Sequence, residues 1–367
     1  MRAAVSPCSS VGEMMMRCAA LSTLVWFAAL SAMAEETSPI AEEASLRKGR
    51  VAYTPADDER DIPLRFRMAK HEFSFQQRKI ETVSEKIRID NVTFPSPVKT
   101  PHENNNTVHC EYFRPAGKGQ FPGVVVLHIL GGDFDLSRLF CRAMADQGVC
   151  ALFVKMPYYG PRRQPGSPMR MVSINPNESV QGMTQAVLDI RRAGAWLGSR
   201  AEVDDDRLGV FGISLGGITA ALAATAEPRF KHVCLMLAGG DVATVTWESK
   251  ELEPIRKRWA AGGGTRESLT EILRKVDPVT YGRNVHGRRI LMINARFDKV
   301  IPEKCATSLW RSFGEPEIVW LDCGHYTAGR FIFEALARVV RFFQNDENAI
   351  PKPAAQRPGA TGTTPRK

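Results

Sequence analysis

Short, continuously apolar runs alternate with longer segments of helical period through the middle of the chain. Val124-Val125-Val126-Leu127 and Ile290-Leu291-Met292-Ile293 contain no polar position, as strands covered on both faces must. By the same reasoning, strands are predicted at 85–92, 107–114, 123–128, 150–155, 207–211, 232–238, 289–295 and 317–322. The first two alternate in polarity and read as antiparallel edge strands. Helices are predicted at 137–146, 179–197, 218–226, 303–313 and 329–343. Val180, Met183, Val187, Ile190 and Leu197 recur at helical spacing in the second, and Pro228 stops the third. Strands alternating with helices predict an α/β fold: one eight-stranded, mostly parallel sheet with helices on both faces.

The flanks break this rhythm. Residues 35–80 are rich in charge and proline, with an amphipathic stretch over 64–79, and read as an extension packed on a main domain at 81–344. The segment 242–282 interrupts the alternation after the sixth predicted strand. Its helical pieces, including 266–275, are candidates for a small cap over a site. Residues 345–367 collect Pro, Ala, Gly, Thr and basic side chains without period, and are expected to stay disordered. At the other end, Arg17 precedes an apolar run over 19–30, and Ala32-Met33-Ala34 offers a cleavage pattern before Glu35. Residues 1–34 therefore read as a secretory signal, with a periplasmic or secreted product. Met14-Met15-Met16 suggests a start later than Met1. The run is about a dozen residues and a bilayer span needs about 20, so no stable span is expected unless the signal stays uncleaved.

Composition narrows the classes. The chain has 367 residues, of which 44% are hydrophobic and 24% charged, which excludes wholesale disorder and multi-span membrane architectures. Its net charge of +9 would suit a polyanion if the excess formed a stripe. Arg162-Arg163, Arg191-Arg192 and Arg288-Arg289 are instead scattered, and read as solvated faces. No nucleic-acid partner is expected. Six cysteines follow residue 34, with no CxxC and no zinc-type cluster, so no metal is expected. In an oxidising compartment six allow 15 pairings. Cys141 and Cys150 are close enough in sequence to pair, whereas Cys234 lies in an apolar run and reads as a buried thiol.

The chemistry starts at Gly212-Ile213-Ser214-Leu215-Gly216, a GxSxG between a predicted strand and a small-residue helix. A nucleophile on such a strand-to-helix turn is lifted above the sheet, and glycines two residues either side admit the sharp bend. The turn also aims the backbone N–H of Leu215 and the helix N-terminus at the place where an oxyanion would form. A serine hydroxyl needs a base, and the base needs an acid to fix its tautomer. Asp298 follows the strand at 289–295, and His325 follows the strand at 317–322. Both stand at carboxyl ends of parallel strands, where α/β sheets place their ligands. Asp241, past the neighbouring strand, is the rival acid. Asp204, Asp205 and Asp206 read as solvated turn residues at the other end of the sheet. Tyr158 and Tyr159 fall in a loop on the same face as Ser214, and are candidates to line a pocket.

With Ser214, Asp298 and His325 in that order, the chain over 81–344 resembles the α/β-hydrolase superfamily. The phrases Val203-Asp204-Asp205-Asp206-Arg207-Leu208-Gly209-Val210 and Phe297-Asp298-Lys299-Val300-Ile301-Pro302 make it most similar to the dienelactone hydrolase, acetyl xylan esterase and prolyl oligopeptidase branch. The resemblance implies an acyl-enzyme mechanism with Ser214 as nucleophile, His325 as base and Asp298 as orienting acid. It also implies a second oxyanion donor after the third strand. There His128-Ile129-Leu130-Gly131-Gly132 departs from the usual His-Gly pair, leaving Ile129 and Leu130 as candidates and His128 as a structural residue. The expected activity is hydrolysis of small or carbohydrate-linked carboxylic esters without a cofactor. A prolyl-type serine peptidase and a silent fold used for binding are the alternatives.

Overall fold

Ten strands make one sheet in the computed structural model, which describes residues 46–344 except 57, 58, 84 and 133. Arg47–Tyr53 (β1), His71–Val83 (β2), Ile87–Pro95 (β3) and Thr107–Pro115 (β4) pair antiparallel in sequence order. Phe121–Leu127 (β5) then enters the centre, and Cys150–Val154 (β6) inserts between it and β4, antiparallel to β4 and parallel to β5. On the other side of β5 lie Val203–Ile213 (β7), His232–Met236 (β8), Arg289–Ala295 (β9) and Glu317–Leu321 (β10), all parallel. Leaving β5, the chain moves first to one side and later to the other. The crevice at such a reversal, beyond the carboxyl ends of the strands, is where α/β sheets bind ligands.

Phe134–Asp146 (α1) follows β5, Pro176–Gly198 (α2) follows β6, and Leu215–Ala226 (α3) follows β7. After β8 come Val242–Glu248 (α4), Glu253–Ala261 (α5) and Arg266–Leu273 (α6), the helical insert. Glu303–Ser312 (α7) links β9 to β10, and Ile332–Gln344 (α8) closes the domain. Side chains of a strand alternate between faces. Val124 and Val126 of β5 join Phe140 and Met144 of α1 and Val339 of α8. Val125 and Leu127 join Val187 and Trp196 of α2 and Leu222 of α3. Both faces of the central parallel strands are thus covered, which is why β5 and β6 carry no polar side chain.

The sheet is larger than the eight strands expected, because β1 and most of β2 come from the segment 35–80 read as an extension. The amphipathic stretch over 64–79 is largely strand: Leu64–Phe66 makes a short 3-10 turn, and His71 onward is extended. His71-Glu72-Phe73-Ser74-Phe75-Gln76 has period two. Phe73 and Phe75 turn inward, Phe75 meeting Trp196 edge-on at 5.8 Å, while Glu72, Ser74 and Gln76 face water. A boundary at 81 therefore falls inside a strand. Asp204 to Asp206 also sit in a strand rather than before one. The pairing of β7 with β5 shifts between Pro122–Asp204 and Gly123–Leu208, so the acids bulge outward.

Two further expectations fail on burial. Arg162 and Arg191 are fully buried instead of solvated. Arg162 pairs with Asp189 at 2.8 Å, and that carboxylate also accepts from Ser96 at 2.6 Å. Arg191 bonds Glu227, Glu59 and the carbonyl of Phe66, tying residues before β2 to α2 and the end of α3. Arg288 donates to the carbonyls of Ala224, Glu227 and Phe230, ending α3. The described cysteines are all free and buried. Cys141 and Cys150 are no pair: β6 sends Cys150 to the face of the sheet away from α1, where Cys141 packs. The signal expected at 1–34 and the tail at 345–367 lie outside the described residues. Among those residues no helix is long and apolar enough to cross a membrane.

Candidate active site

At the end of β7 the backbone reverses within one residue. Ser214 has φ 55° and ψ −118°, a left-handed conformation costly for any residue but glycine, and its N–H is held by the carbonyl of Met236 at 2.9 Å. The flanking glycines make the bend possible. A β-carbon on Gly212 would lie 2.1 Å from the carbonyl oxygen of Gly216, and one on Gly216 would lie 2.6 Å from those of Leu127 and His128. No side chain fits at either place.

Ser214 Oγ lies 3.0 Å from His325 Nε2, and His325 Nδ1 lies 2.7 Å from Asp298 Oδ2. A carboxylate can only accept, so Nδ1–H donates to Asp298; in that tautomer Nε2 carries no proton and can accept the Ser214 hydroxyl proton. The other carboxylate oxygen of Asp298 accepts the N–H groups of Val300 and Ile301, both at 2.8 Å, which fixes the acid before the imidazole meets it. Three residues separated by 84 and 27 positions thus converge at the carboxyl ends of β7, β9 and β10. Asp241, the rival acid, caps α4 by accepting from Thr244 N–H at 3.2 Å.

Leu215 opens α3, so its N–H has no intrahelical acceptor. Among the described residues neither it nor the N–H of Ile129 or Leu130 donates to a backbone carbonyl. Beside them, His128 is structural. Its Nδ1 donates to the carbonyl of Ile129 at 2.8 Å, and its Nε2 accepts from Met156 N–H at 3.1 Å. Burial holds this imidazole down to about 4, so it stays neutral.

Two apolar cavities meet at Ser214. One of about 270 Å³ includes His325, Ile129, Leu136, Met236, Ala328 and Ile332. The other, about 60 Å³, includes Leu215, Ile218, Val172, Val245 and Leu252. Leu130, Ser214, Glu251 and Val300 border both. The insert therefore does contribute walls, through Val245, Glu251 and Leu252. Tyr158 and Tyr159 do not reach Ser214; they line a neighbouring cavity of about 380 Å³ that shares Leu130 and Val172. A larger polar cavity, about 840 Å³, lies by Thr225 and Pro228 at the far end of α3, roughly 18 Å of helix from Ser214.

Glu251 and Tyr326 escaped the sequence reading. The Tyr326 hydroxyl donates to Glu251 at 2.9 Å in the wall of the 270 Å³ cavity, and Ser249 donates to the other carboxylate oxygen. Burial works to raise this carboxyl, but those two hydrogen bonds outweigh it and hold it below its usual range. Adjacency to His325 could have flagged Tyr326. Glu251, between Lys250 and Glu253, is indistinguishable in sequence from a solvated charge.

Residues 182–346 match the family model described as the prolyl oligopeptidase family, and residues 76–248 match the one described as alpha/beta hydrolase domain containing 18. Two uncharacterized proteins of Mycobacterium tuberculosis, from strains H37Rv and CDC 1551, are each 28% identical over 208 residues, 55% of this chain and 48% of theirs. The chain thus spans about half the length of these curated relatives. Among solved structures, an acetyl xylan esterase from Paenibacillus sp. R4 is 23% identical with a TM-score of 0.58, covering 73% of this chain and 88% of that one. Acetyl xylan esterase 1 from Thermoanaerobacterium sp. JW/SL YS485 is 18% identical with a TM-score of 0.55, covering 71% and 87%. At such identities these likenesses speak to the fold alone. The chain has the α/β-hydrolase fold.

Proposed function

We propose that this protein is a serine hydrolase that cleaves carboxylic esters through an acyl-enzyme on Ser214. The observation that carries the reading is the continuous hydrogen-bonded path from Ser214 Oγ through His325 to Asp298, at 3.0 and 2.7 Å. As Oγ attacks the ester carbonyl carbon, His325 Nε2 takes its proton, and the imidazolium is held by Asp298. The carbonyl oxygen becomes an oxyanion facing the N–H of Leu215 and the Ile129–Leu130 backbone, each such donor being worth about 3 kcal/mol in the transition state. Collapse breaks the carbon–oxygen bond to the alcohol, which leaves with the proton from His325. Water then attacks the acyl-enzyme, giving its proton to His325, and the carboxylic acid departs as Ser214 recovers its hydrogen.

The names of the two acetyl xylan esterases support an ester, small or carbohydrate-linked, as substrate. The prolyl oligopeptidase match supports a peptidase as the second reading. A fluorophosphonate probe with mass spectrometry tests the nucleophile: labelling at Ser214, abolished in Ser214→Ala, is expected, and an unlabelled wild type would leave a binding module. Rates on p-nitrophenyl esters against aminoacyl-prolyl anilides separate the enzymatic readings, with the esters expected to be faster. The apolar run at 19–30 followed by Ala32-Met33-Ala34 supports export.

A further inference from the structure

The two cavities at Ser214 differ in size, and only one of them contains the imidazole. The leaving alcohol must be protonated by His325 Nε2, so its oxygen departs on the histidine side. That side is the 270 Å³ cavity, where Ile129, Leu136, Met236 and Ile332 supply the walls. The acyl group, bonded to Ser214 Oγ after the first step, then lies on the other side, in the 60 Å³ space between Ile218, Val172, Val245 and Leu252. An apolar cavity of about 150 Å³ accepts a benzene ring. By that measure the alcohol side has room for a ring with substituents, whereas the walled part of the acyl side has room for little more than a methyl or ethyl group.

The chemistry of the walls limits the alcohol further. Apart from the reacting Ser214 and His325, the polar side chains around the larger cavity are Glu251 and Tyr326, and these already bond one another. A sugar would leave most of its hydroxyls without partners there, at a cost of about 1–3 kcal/mol for each one buried. The Glu251 carboxylate, held in its charged form, also repels an anionic alcohol.

We infer that the site takes uncharged esters of two- or three-carbon acids with apolar, ring-sized alcohols, the acid bound against Ile218 and Val245 and the alcohol against Leu136 and Ile332. The inference rests on the hydrolase reading and adds to it an assignment of the two sides.

Two substrate series on the full chain test it: p-nitrophenyl esters from acetate to octanoate, and acetates of p-nitrophenol, 1-naphthol, a naphthol carboxylic acid and xylose. Each methylene too many in a tight pocket is worth roughly 10-fold or more, so kcat/KM is expected to fall at least that much by hexanoate. Naphthyl acetate is expected to exceed acetylated xylose and the carboxylated naphthyl ester. Ile218→Ala, with Val172→Ala as a loop substitution less demanding on folding, should move the acyl optimum to longer chains. Ile332→Ala should leave that optimum in place and reorder the alcohols.

A wild type preferring octanoate, or acetylated xylose over the naphthyl ester, would overturn the inference while leaving the hydrolase intact. So would an acyl optimum that moves in Ile332→Ala and stays fixed in Ile218→Ala and Val172→Ala. Absence of all ester cleavage together with absence of fluorophosphonate labelling would instead remove the hydrolase reading, and this inference with it.

Discussion

From β5 to β9 the sheet is covered on both faces, whereas β1 and β2 bury one face and leave the other in water. The parallel strands all end on the same rim, and the loops leaving them carry Ser214, Asp298, His325 and the Ile129–Leu130 turn. The antiparallel strands run in alternate directions and gather nothing at one end. Their inward residues, Val51, Tyr53, Phe73 and Phe75, pack on the α2 side of the core instead. The comparison teaches that reactive groups follow strand direction, since parallel strands alone bring several carboxyl ends to one edge, while the antiparallel half contributes packing.

The sharpest way to break that division is to remove the acid from the parallel rim. Asp298→Asn keeps the shape but loses the acceptor that fixes the tautomer of His325, and in a site of this geometry such a change costs on the order of 10⁴ in kcat. Asp241→Asn is the matched control. Asparagine caps a helix as well as aspartate does, so α4 should persist and the rate should stay within about twofold. Steady-state hydrolysis of a p-nitrophenyl ester measures both. Equal losses in the two variants would show that the hydrogen bond of His325 to Asp298 does not govern the rate.

Why one half was legible in the sequence and the other was not has a physical basis. An apolar run such as Val124 to Leu127 has one reading, a strand buried on both sides, and the glycines around Ser214 are demanded by backbone clashes that no other residue relieves. Position along the chain then put Asp298 and His325 past strand ends. In the edge strands, charges interleave with Phe73 and Phe75, and the same letters can be scanned for a helical stripe, so β2 was obscured. Arg162 and Arg191 misled for another reason. A buried arginine is distinguished from a solvated one only by its partners, and Asp189, Glu227 and Glu59 lie 27 to 132 residues away. Glu251 and the cavity walls of the insert likewise depend on tertiary placement.

The second test acts on the antiparallel half. Phe75 is buried against Trp196, with the guanidinium of Arg200 4.7 Å from its ring centre. Phe75→Ala removes that packing, and its expected cost is about 3–5 kcal/mol of stability, read as a lower urea midpoint. The kcat of the folded fraction should not change, because β2 touches neither cavity at Ser214. A fall in kcat beyond a few-fold in molecules still folded would show that the two halves are coupled.

The smallest effect belongs to the seam between the halves, where His128 leaves β5 and accepts the N–H of Met156 just past β6, the strand that pairs with β4. Burial depresses its imidazole to about 4, against an ordinary value near 6.5. Above pH 6.5 the group is neutral in both the folded and unfolded chain and contributes nothing to pH dependence. Below it the unfolded chain takes up a proton that the folded chain refuses until about pH 4, so stability falls across that window by up to about 3 kcal/mol. His109, also pushed down to about 4, by burial and then by Lys155 and Arg162, adds a similar slope. His128→Gln should therefore remove one proton from that uptake. Urea midpoints from pH 7 to pH 4 should fall less steeply in the variant than in the wild type, whatever the loss at pH 7. Parallel curves would mean that His128 is charged in the folded protein, and that its Nε2 does not accept the hydrogen bond joining β5 to β6.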